Sequence, residues 1–315
     1  MHAVGIDIGG TKIAAGVVDD AGTLLATTRR DTSPEEPHAI EDAVVDAVAE
    51  LRASFEVSAV GVAAAGFVDP GRAKVLFAAN LAWRDYPLRD VLRERLGLDV
   101  VVENDANAAG WAEFRFGAGR DVQDMVMLTV GTGLGGAVVI GGRLVRGAAG
   151  AGGEVGHMRL VPAGRACGCG HDGCWETYAS GSALVRETRA ALATDPERAR
   201  TLLDLAGGKA KHVTGPHVTQ AARAGDPLAV EMLADLGTWL GSGMAALSAL
   251  LDPTTYVIGG GVGAAGDMLL GPARATLEEQ LFARAQRPLP QVVLATLGND
   301  AGIVGAADLA RVVLD

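Results

Sequence analysis

Three cysteines fall within eight positions, Cys167-Gly168-Cys169-Gly170-His171-Asp172-Gly173-Cys174, and the chain has no others. An odd, clustered set does not read as a disulfide framework; it reads as metal ligands. Structural zinc takes four tetrahedral sulfur or nitrogen ligands, so a histidine must complete the set. His171 is close but lies inside the cysteine loop, whereas His157 lies ten residues before Cys167 and would close a larger loop. Spacing leaves both open. The intervening glycines permit tight chelation. Glu154 precedes His157 by three residues and Glu176 follows Cys174 by two. A metal here would fix the backbone carrying both carboxylates, and a zinc-bound histidine can still hydrogen-bond through its second ring nitrogen. Such a site would organise a surface for a polyol, whose paired hydroxyls carboxylates can accept from, rather than perform chemistry.

Glycine turns are the second signal. In Asp7-Ile8-Gly9-Gly10-Thr11-Lys12, glycines allow backbone N–H groups to approach phosphate oxygens, Thr11 adds a hydroxyl and Lys12 a positive charge. Asp7, at a strand end, suits Mg²⁺, which takes oxygen ligands and keeps several waters. The same residues would also serve a plain hairpin. Gly131-Thr132-Gly133-Leu134-Gly135-Gly136 satisfies G-x-G-x-x-G, with Glu154 at about the acidic offset of a dinucleotide site. That pattern needs a helix after the glycines. Here Ala137-Val138-Val139-Ile140 and a glycine pair follow, which reads as a strand and excludes NAD. No G-x-x-x-x-G-K-[ST] occurs, which excludes a P-loop. What remains is a hairpin turn able to hold a phosphate. Gly259-Gly260-Gly261, after a short buried strand, permits close approach of a flat ligand such as an adenine-ribose unit, or is a helix-entry turn.

Glu103-Asn104-Asp105-Ala106-Asn107 sits where a strand gives way to a helix. Asn and Asp are preferred helix caps. A carboxylate here could also accept a hydroxyl proton in phosphoryl transfer. The loose transition state of that reaction does not need a strong base, so one polar residue caps while another works.

The elements that position these groups follow from patterning. Ala3 to Ile8, Ile13 to Val18 and Thr23 to Thr28 read as strands separated by glycine turns. Ser33-Pro34-Glu35-Glu36 reads as a helix start, followed by the stripe Ile40, Val44, Val48 and Leu51. Val57 to Ala65 and Asp99 to Glu103 read as strands, and Tyr86 to Leu96 and Ala106 to Phe116 as helices. Met125 to Val130 and Gly135 to Ile140 are strands. A long helix runs from Asp226-Pro227 to Leu251, Thr254 to Ile258 and Gln291 to Thr296 are strands, and a helix from Ala301 to Leu314 closes the chain. The pattern is α/β. A strand, Gly/Thr turn, strand unit near residue 9 recurs near residue 131, suggesting two similar domains across a cleft.

Composition agrees with a two-domain globular chain of 315 residues, 49% hydrophobic and 21% charged. A net charge of −11 makes nucleic acid and anionic membrane poor partners, without excluding a local basic pocket for a nucleotide. The N-terminus lacks a secretory pattern. The uncharged run from Met125 to Gly142 holds six glycines, so it is not a membrane helix. The expectation is a cytoplasmic protein with no membrane partner.

Together these segments resemble the ROK family of bacterial sugar kinases and sugar-responsive repressors, and within it the zinc-containing glucokinases of actinobacterial type. The resemblance covers essentially the whole chain. It is carried by Asp7 to Lys12, Gly61 to Asp69, Glu103 to Asn107, Gly131 to Gly136, Glu154-Val155-Gly156-His157 and the cysteine tract ending at Glu176. It implies the two-domain actin-like ATPase (hexokinase/ribonuclease H-like) fold, with a cleft between the domains. The expected division is a small domain over 1–110, closed by a helix at about 301–315, and a large zinc-bearing domain over 111–300. It implies ATP-dependent phosphorylation of glucose at the 6-hydroxyl, with Asp105 as base. It places Gly66, Asn104, Asp105, Glu154, His157 and Glu176 at the sugar. It places Asp7 by Mg²⁺; Gly9, Gly10, Thr11, Lys12, Gly131, Thr132 and Gly133 on phosphates; and Gly259, Gly260 and Gly261 near the nucleoside. It selects His157, with Cys167, Cys169 and Cys174, for structural zinc, and implies a homodimer or homotetramer. One departure is Ala64-Ala65-Gly66, where the family often has proline before the glycine.

Competing readings are a kinase for another hexose, a polyphosphate-dependent glucokinase and a non-catalytic sugar sensor. The repressor branch carries a helix-turn-helix ahead of the core. Here the first strand begins at residue 3, and the acidic charge argues the same way.

Overall fold

The computed structural model describes residues 1–314. Asp315, the last residue of the expected closing helix, lies outside the described residues. The chain divides into two units. The first comprises Met1–Gln123, Ala137–Gly153 and the chain from Thr296 onward; the second comprises Asp124–Gly136 and Glu154–Ala295.

The first unit is built on β1 (Ala3–Ile8), β2 (Lys12–Val18), β3 (Leu24–Asp31), β4 (Ala59–Ala64) and, after a small three-stranded sheet of β5 (Phe67–Val68), β6 (Val75–Phe77) and β7 (Arg84–Tyr86), β8 (Asp99–Asn104). The main sheet has the order β3-β2-β1-β4-β8. β1, β2 and β3 are antiparallel, while β1, β4 and β8 run parallel. Every residue of β4 is buried, the continuous apolar run expected of a strand covered on both faces. Register decides where the chemistry sits. Ile8 pairs with Ala64, and Ala64 with Asn104, so β1, β4 and β8 end side by side. The turn at Gly9, the segment at Gly66 and the Asp105 helix start therefore leave from one sheet edge, the carboxyl edge where open α/β sheets bind ligands.

Three helices of this unit are α1 (Pro37–Arg52), α2 (Leu88–Leu96) and α3 (Asp105–Phe116). The expected start of the first helix at Ser33-Pro34 is corrected. The Glu36 N–H bonds the Ser33 carbonyl in a turn, and the helix begins at Pro37. Had it begun at Pro34, the first i→i−4 bond would fall to Pro37, which has no N–H, and its ring would clash with the Ser33 carbonyl. Pro37 fits instead at the first helical position. The stripe Ile40, Val44, Val48 and Leu51 is buried as read. Tyr86 belongs to β7 rather than to the second helix, which begins after Pro87.

In the second unit, β9 (Met125–Val130) leads through the Gly131–Gly133 turn to β10 (Leu134–Ile140), along which the chain passes back to the first unit and to β11 (Arg143–Leu144). β12 (Thr255–Gly259) runs parallel to β9 and to β13 (Gln291–Leu294). α4 (Gly181–Thr194), α5 (Arg200–Leu205), α6 (Gly215–Arg223), α7 (Pro227–Leu251) and α8 (Asp267–Gln280) complete this unit. The Asp226 carboxylate accepts from the Ala229 N–H at 3.1 Å and so caps the long helix at its expected start.

α9 (Ala301–Leu314) returns to the first unit, with Ala301 through Ala310 buried. It lies almost on the sheet. A β-carbon on Gly5 would fall 1.8 Å from the Ile303 carbonyl oxygen, and one on Gly61 1.8 Å from that of Ala306. Only glycine at these two strand positions admits the helix.

Candidate active site

Two carboxylates mark the carboxyl edge of the first sheet. Asp7 is the penultimate residue of β1, and Asp105 opens α3 directly after β8. Burial pushes Asp7 up to about 6, with the charge of Asp105 adding to it. Burial likewise raises Asp105 above the ordinary aspartate value, against a hydrogen bond from its neighbour's backbone, Ala106 N–H to Asp105 Oδ1 at 2.9 Å. Interacting acids whose charged forms are disfavoured are a functional signature, because burying them costs stability that packing alone does not repay.

Asn104 holds the junction. Its Oδ1 accepts the Asn107 N–H at 3.0 Å as the cap of α3, and its Nδ2 donates to the Gly66 carbonyl at 3.1 Å. Gly66 is confined, since a β-carbon there would lie 2.5 Å from the Phe77 carbonyl oxygen. Gly66, Asn104 and Asp105 are thus joined, and each amide group of Asn104 keeps capacity for one further bond. Of the three polar residues Glu103, Asn104 and Asp105, Asn104 is the cap. Glu103 is turned inward, 1% exposed, against Arg72 and Arg146. Neither arginine was legible in the sequence, because each sits in a loop with no periodicity or motif to mark it.

The first glycine turn closes with the Gly9 N–H on the Lys12 carbonyl at 3.0 Å, and Thr32 Oγ1 donates to the Gly9 carbonyl at 3.0 Å. Gly10 and Thr11 line a cavity of about 650 Å³ with Glu35, Asn80 and Arg84. Lys12 is exposed at the start of β2.

In the second unit a cavity of about 700 Å³ brings Gly131 and Thr132 together with Gly261. Two of the glycine signals therefore share one pocket. Its remaining wall includes Ser182, Arg186, Arg189 and Thr214, which sequence reasoning missed. Gly259 ends β12, and Gly260 turns the chain with φ +82°. The start of α4 sits on the turn: the Gly181 N–H bonds the Gly131 carbonyl at 2.7 Å and the Ser182 N–H bonds that of Thr132 at 3.3 Å.

His157, Cys167, Cys169 and Cys174 each offer a ligand atom, and these four atoms lie within 4.8 Å of one another. His171 is not part of this set; its carbonyl accepts the Cys167 N–H at 2.8 Å. One nitrogen and three sulfurs gathered so closely are the donor set of a closed four-coordinate site, with no position left over for a reacting ligand. Glu176 is within reach of this cluster, accepting from Cys167 Sγ at 3.0 Å. Its other carboxylate oxygen lies 2.8 Å from where a Gly133 β-carbon would be, so Glu176 joins the cluster to the second glycine turn. Glu154 opens the short 3₁₀ turn Val155–His157, its carbonyl accepting the His157 N–H at 3.1 Å.

Comparison with known proteins identifies the family. The model of the ROK family matches residues 3–313. A glucokinase of Streptomyces coelicolor is 49% identical over 98% of this chain and 97% of its own. The solved ROK family glucokinase of Streptomyces griseus, in complex with glucose and AMPPNP, superposes with a TM-score of 0.89 at 50% identity, covering 99% of both chains. The ROK hexokinase of Thermus thermophilus gives 0.82 at 35% identity over 100% of this chain and 99% of its own. With its motifs at the sheet edge, its Cys/His cluster and an end-to-end match, the chain belongs to the ROK family and has the actin-like ATPase fold of that family's sugar kinases.

Proposed function

We propose that this protein is a glucokinase, transferring the terminal phosphoryl group of ATP to the 6-hydroxyl of glucose. The observation that carries the reading is the placing of two carboxylates, Asp7 and Asp105, at one carboxyl edge of the sheet, on the scaffold of a full-length match to a glucokinase bound to glucose and AMPPNP.

In this reading Asp105 accepts the proton of the sugar 6-hydroxyl. Because bond breaking leads in phosphoryl transfer, its task is to orient the hydroxyl and take the proton late. Burial of Asp105 brings its affinity for that proton closer to what neutral operation needs. The free bonding capacity of Asn104, the Gly66 backbone, and the side chains of Glu154, His157 and Glu176 hold the other hydroxyls. The nucleotide arrives as its magnesium complex, with Asp7 beside the cation. The turns Gly9, Gly10, Thr11, Lys12 and Gly131, Thr132, Gly133 hold phosphates, and Gly259, Gly260 and Gly261 approach the nucleoside. Zinc on His157, Cys167, Cys169 and Cys174 would supply no reaction chemistry; it would fix the loop that carries Glu176. The setting in this reading is cytoplasmic, as the sequence patterning led us to expect, and the assembly is the homodimer or homotetramer that the family resemblance implies. Among the described residues no helix is long and apolar enough to cross a membrane.

The test is ADP release from Mg·ATP with glucose against a no-sugar control at equal enzyme. Parallel arms replace glucose with mannose or N-acetylmannosamine, and a further arm replaces ATP with polyphosphate and reads glucose 6-phosphate, since that donor releases no ADP. Turnover of glucose with ATP is expected to exceed every other arm. Turnover only with another sugar or only with polyphosphate would replace glucose or ATP in the reading. Silence in all arms from folded, zinc-loaded protein would leave a sugar sensor.

A further inference from the structure

Glu103 is nearly inaccessible, at 1% exposed, yet it meets two arginines. Arg72 Nε lies 3.0 Å from its Oε2, and Arg146 Nε lies 2.8 Å from the same oxygen and 3.1 Å from Oε1. Oε1 also accepts the Asn104 N–H at 3.0 Å and Asn107 Nδ2 at 3.1 Å. One buried carboxylate therefore grips the backbone of the residue before Asp105 and the first turn of the helix that Asp105 opens.

Arg146 extends that grip to a second segment. Its Nη1 donates to the Pro70 carbonyl at 2.8 Å and its Nη2 to the Asp69 carbonyl at 2.9 Å. This is the stretch that follows Gly66. Arg72 adds a strand-like bond, its carbonyl accepting the Val102 N–H at 3.1 Å. A third segment comes with the side chain. The loop after Arg146 folds back so that the Gly152 N–H bonds the Arg146 carbonyl at 2.8 Å, and Gly150 lies where a β-carbon would fall 2.1 Å from the Val68 carbonyl oxygen. That loop runs on in sequence into Glu154.

We propose that Arg146 is a positioning residue for the sugar half of the reaction: through Glu103 and the Asp69 and Pro70 carbonyls it holds Asn104–Asp105, the Gly66 segment and the loop leading to Glu154 in one arrangement. The proposal rests on the glucokinase reading. A purely structural ion pair would not need all three faces of the guanidinium to be engaged by segments that carry sugar-contacting residues. The planar fork is what the site uses, because an ammonium group at that position cannot reach the carboxylate and both carbonyls together.

The experiment compares wild type, Arg146→Lys and Arg146→Ala as full-length, zinc-loaded protein. It measures kcat, KM for glucose and KM for ATP, and adds methylguanidine or methylamine to the alanine variant. Displacement of the hydroxyl by about 1 Å costs on the order of 100-fold, so kcat/KM for glucose is expected to fall by about that factor in Arg146→Ala. KM for ATP should stay within about twofold of wild type, since Arg146 bonds to none of the residues that the reading places at the phosphates, the cation or the nucleoside. Arg146→Lys should recover little, and methylguanidine but not methylamine should restore part of the alanine variant's rate. Unchanged glucose constants, equal losses for glucose and ATP, or full recovery by lysine would each overturn the proposal. Should Arg146→Ala lack a cooperative melt, the lysine variant decides alone by the glucose-against-ATP split. Wild type without glucose-dependent turnover would instead overturn the glucokinase reading.

Discussion

The turn Gly9–Thr11 and the turn Gly131–Gly133 each reverse the chain after a buried strand, but different things hold them. The first is a local structure. Its closing bond joins Gly9 to Lys12, and its other partner is Thr32, at the end of the third strand of the same meander. The second takes its partners from far along the chain: Gly181 and Ser182 at the head of α4 bond its carbonyls, and the Glu176 carboxylate lies against Gly133. Each turn closes on a bond of its own, in the second case the Gly131 N–H on the Gly133 carbonyl at 3.0 Å, but only the second is also pinned by a helix start and approached by a carboxylate from later segments. The chemistry divides in the same way, with the raised carboxylates beside the first turn and the metal-ligating cluster beside the second.

Asp105→Asn separates the two regions most sharply. Loss of the proton acceptor should lower kcat by about 10²–10⁴-fold, read by ADP release, while bound zinc stays unchanged by metal analysis. The same variant should melt higher. A folded-state carboxyl raised above its unfolded value of about 3.9 binds its proton more tightly when folded, so ionised Asp105 costs stability at neutral pH. Asparagine removes that cost, and the gap from wild type should close as pH falls through the raised value. Wild-type turnover should be lost over the same fall, since the base must be ionised. A variant that melts lower at pH 7, or an acid limb at the ordinary aspartate value, would contradict the assignment of burial as the cause.

Removing the metal acts on the other region. Cys174→Ser should lose the zinc equivalent and several kcal/mol of stability, read by chemical denaturation, since binding to a closed site is folding free energy. It should raise KM for both glucose and ATP, because Glu176 touches both the cluster and the second turn. An unchanged ATP constant would show the turn to be independent of the cluster. The smallest contrast is Ser180→Ala against Thr32→Val. Ser180 caps α4 by accepting the Ala183 N–H at 3.2 Å, and its loss should cost about 1 kcal/mol. Thr32→Val removes one hydrogen bond from the first turn at a similar cost of about 1 kcal/mol. Chemical denaturation should find the two alike, while KM for ATP should rise more in Ser180→Ala, where the helix start that pins the turn is loosened.

The same contrast decides what the sequence could disclose. Signals that act between near neighbours were legible: the strand-turn-strand of residues 3–18, the Asp226 cap, the helix Ala301–Leu314, and the cysteine tract with its two candidate histidines. The Ser33 helix start misled because a good cap and a first proline are both present, and only the second proline at Pro37 forbids them. Arg72 and Arg146 were silent because their partners lie in segments distant in sequence, and Ser182, Arg186 and Arg189 because the pocket they line is assembled from such segments. α4, α5, α6 and α8 were left unassigned, although Leu184, Thr188 and Leu192 of α4 and Leu269, Ala273 and Leu277 of α8 recur at helical spacing and were signals that could have found those two helices. Glu103 was visible as a polar residue at a strand end, but nothing in its neighbours foretold that it would point inward.

The close seat of α9 on Gly5 and Gly61 also bears on how the molecule is made. The strands that receive this helix are translated well before it, since the whole second unit lies between β4 and α9 in sequence. Until α9 is made, the face of β1 and β4 on which it is seated lacks that helix, while the second unit, complete by Ala295, already has all of its residues. Folding during synthesis should therefore finish the later-encoded unit before the earlier one. A nascent chain stalled just short of Thr296 should present a protease-resistant metal-bearing fragment beside a sensitive N-terminal third.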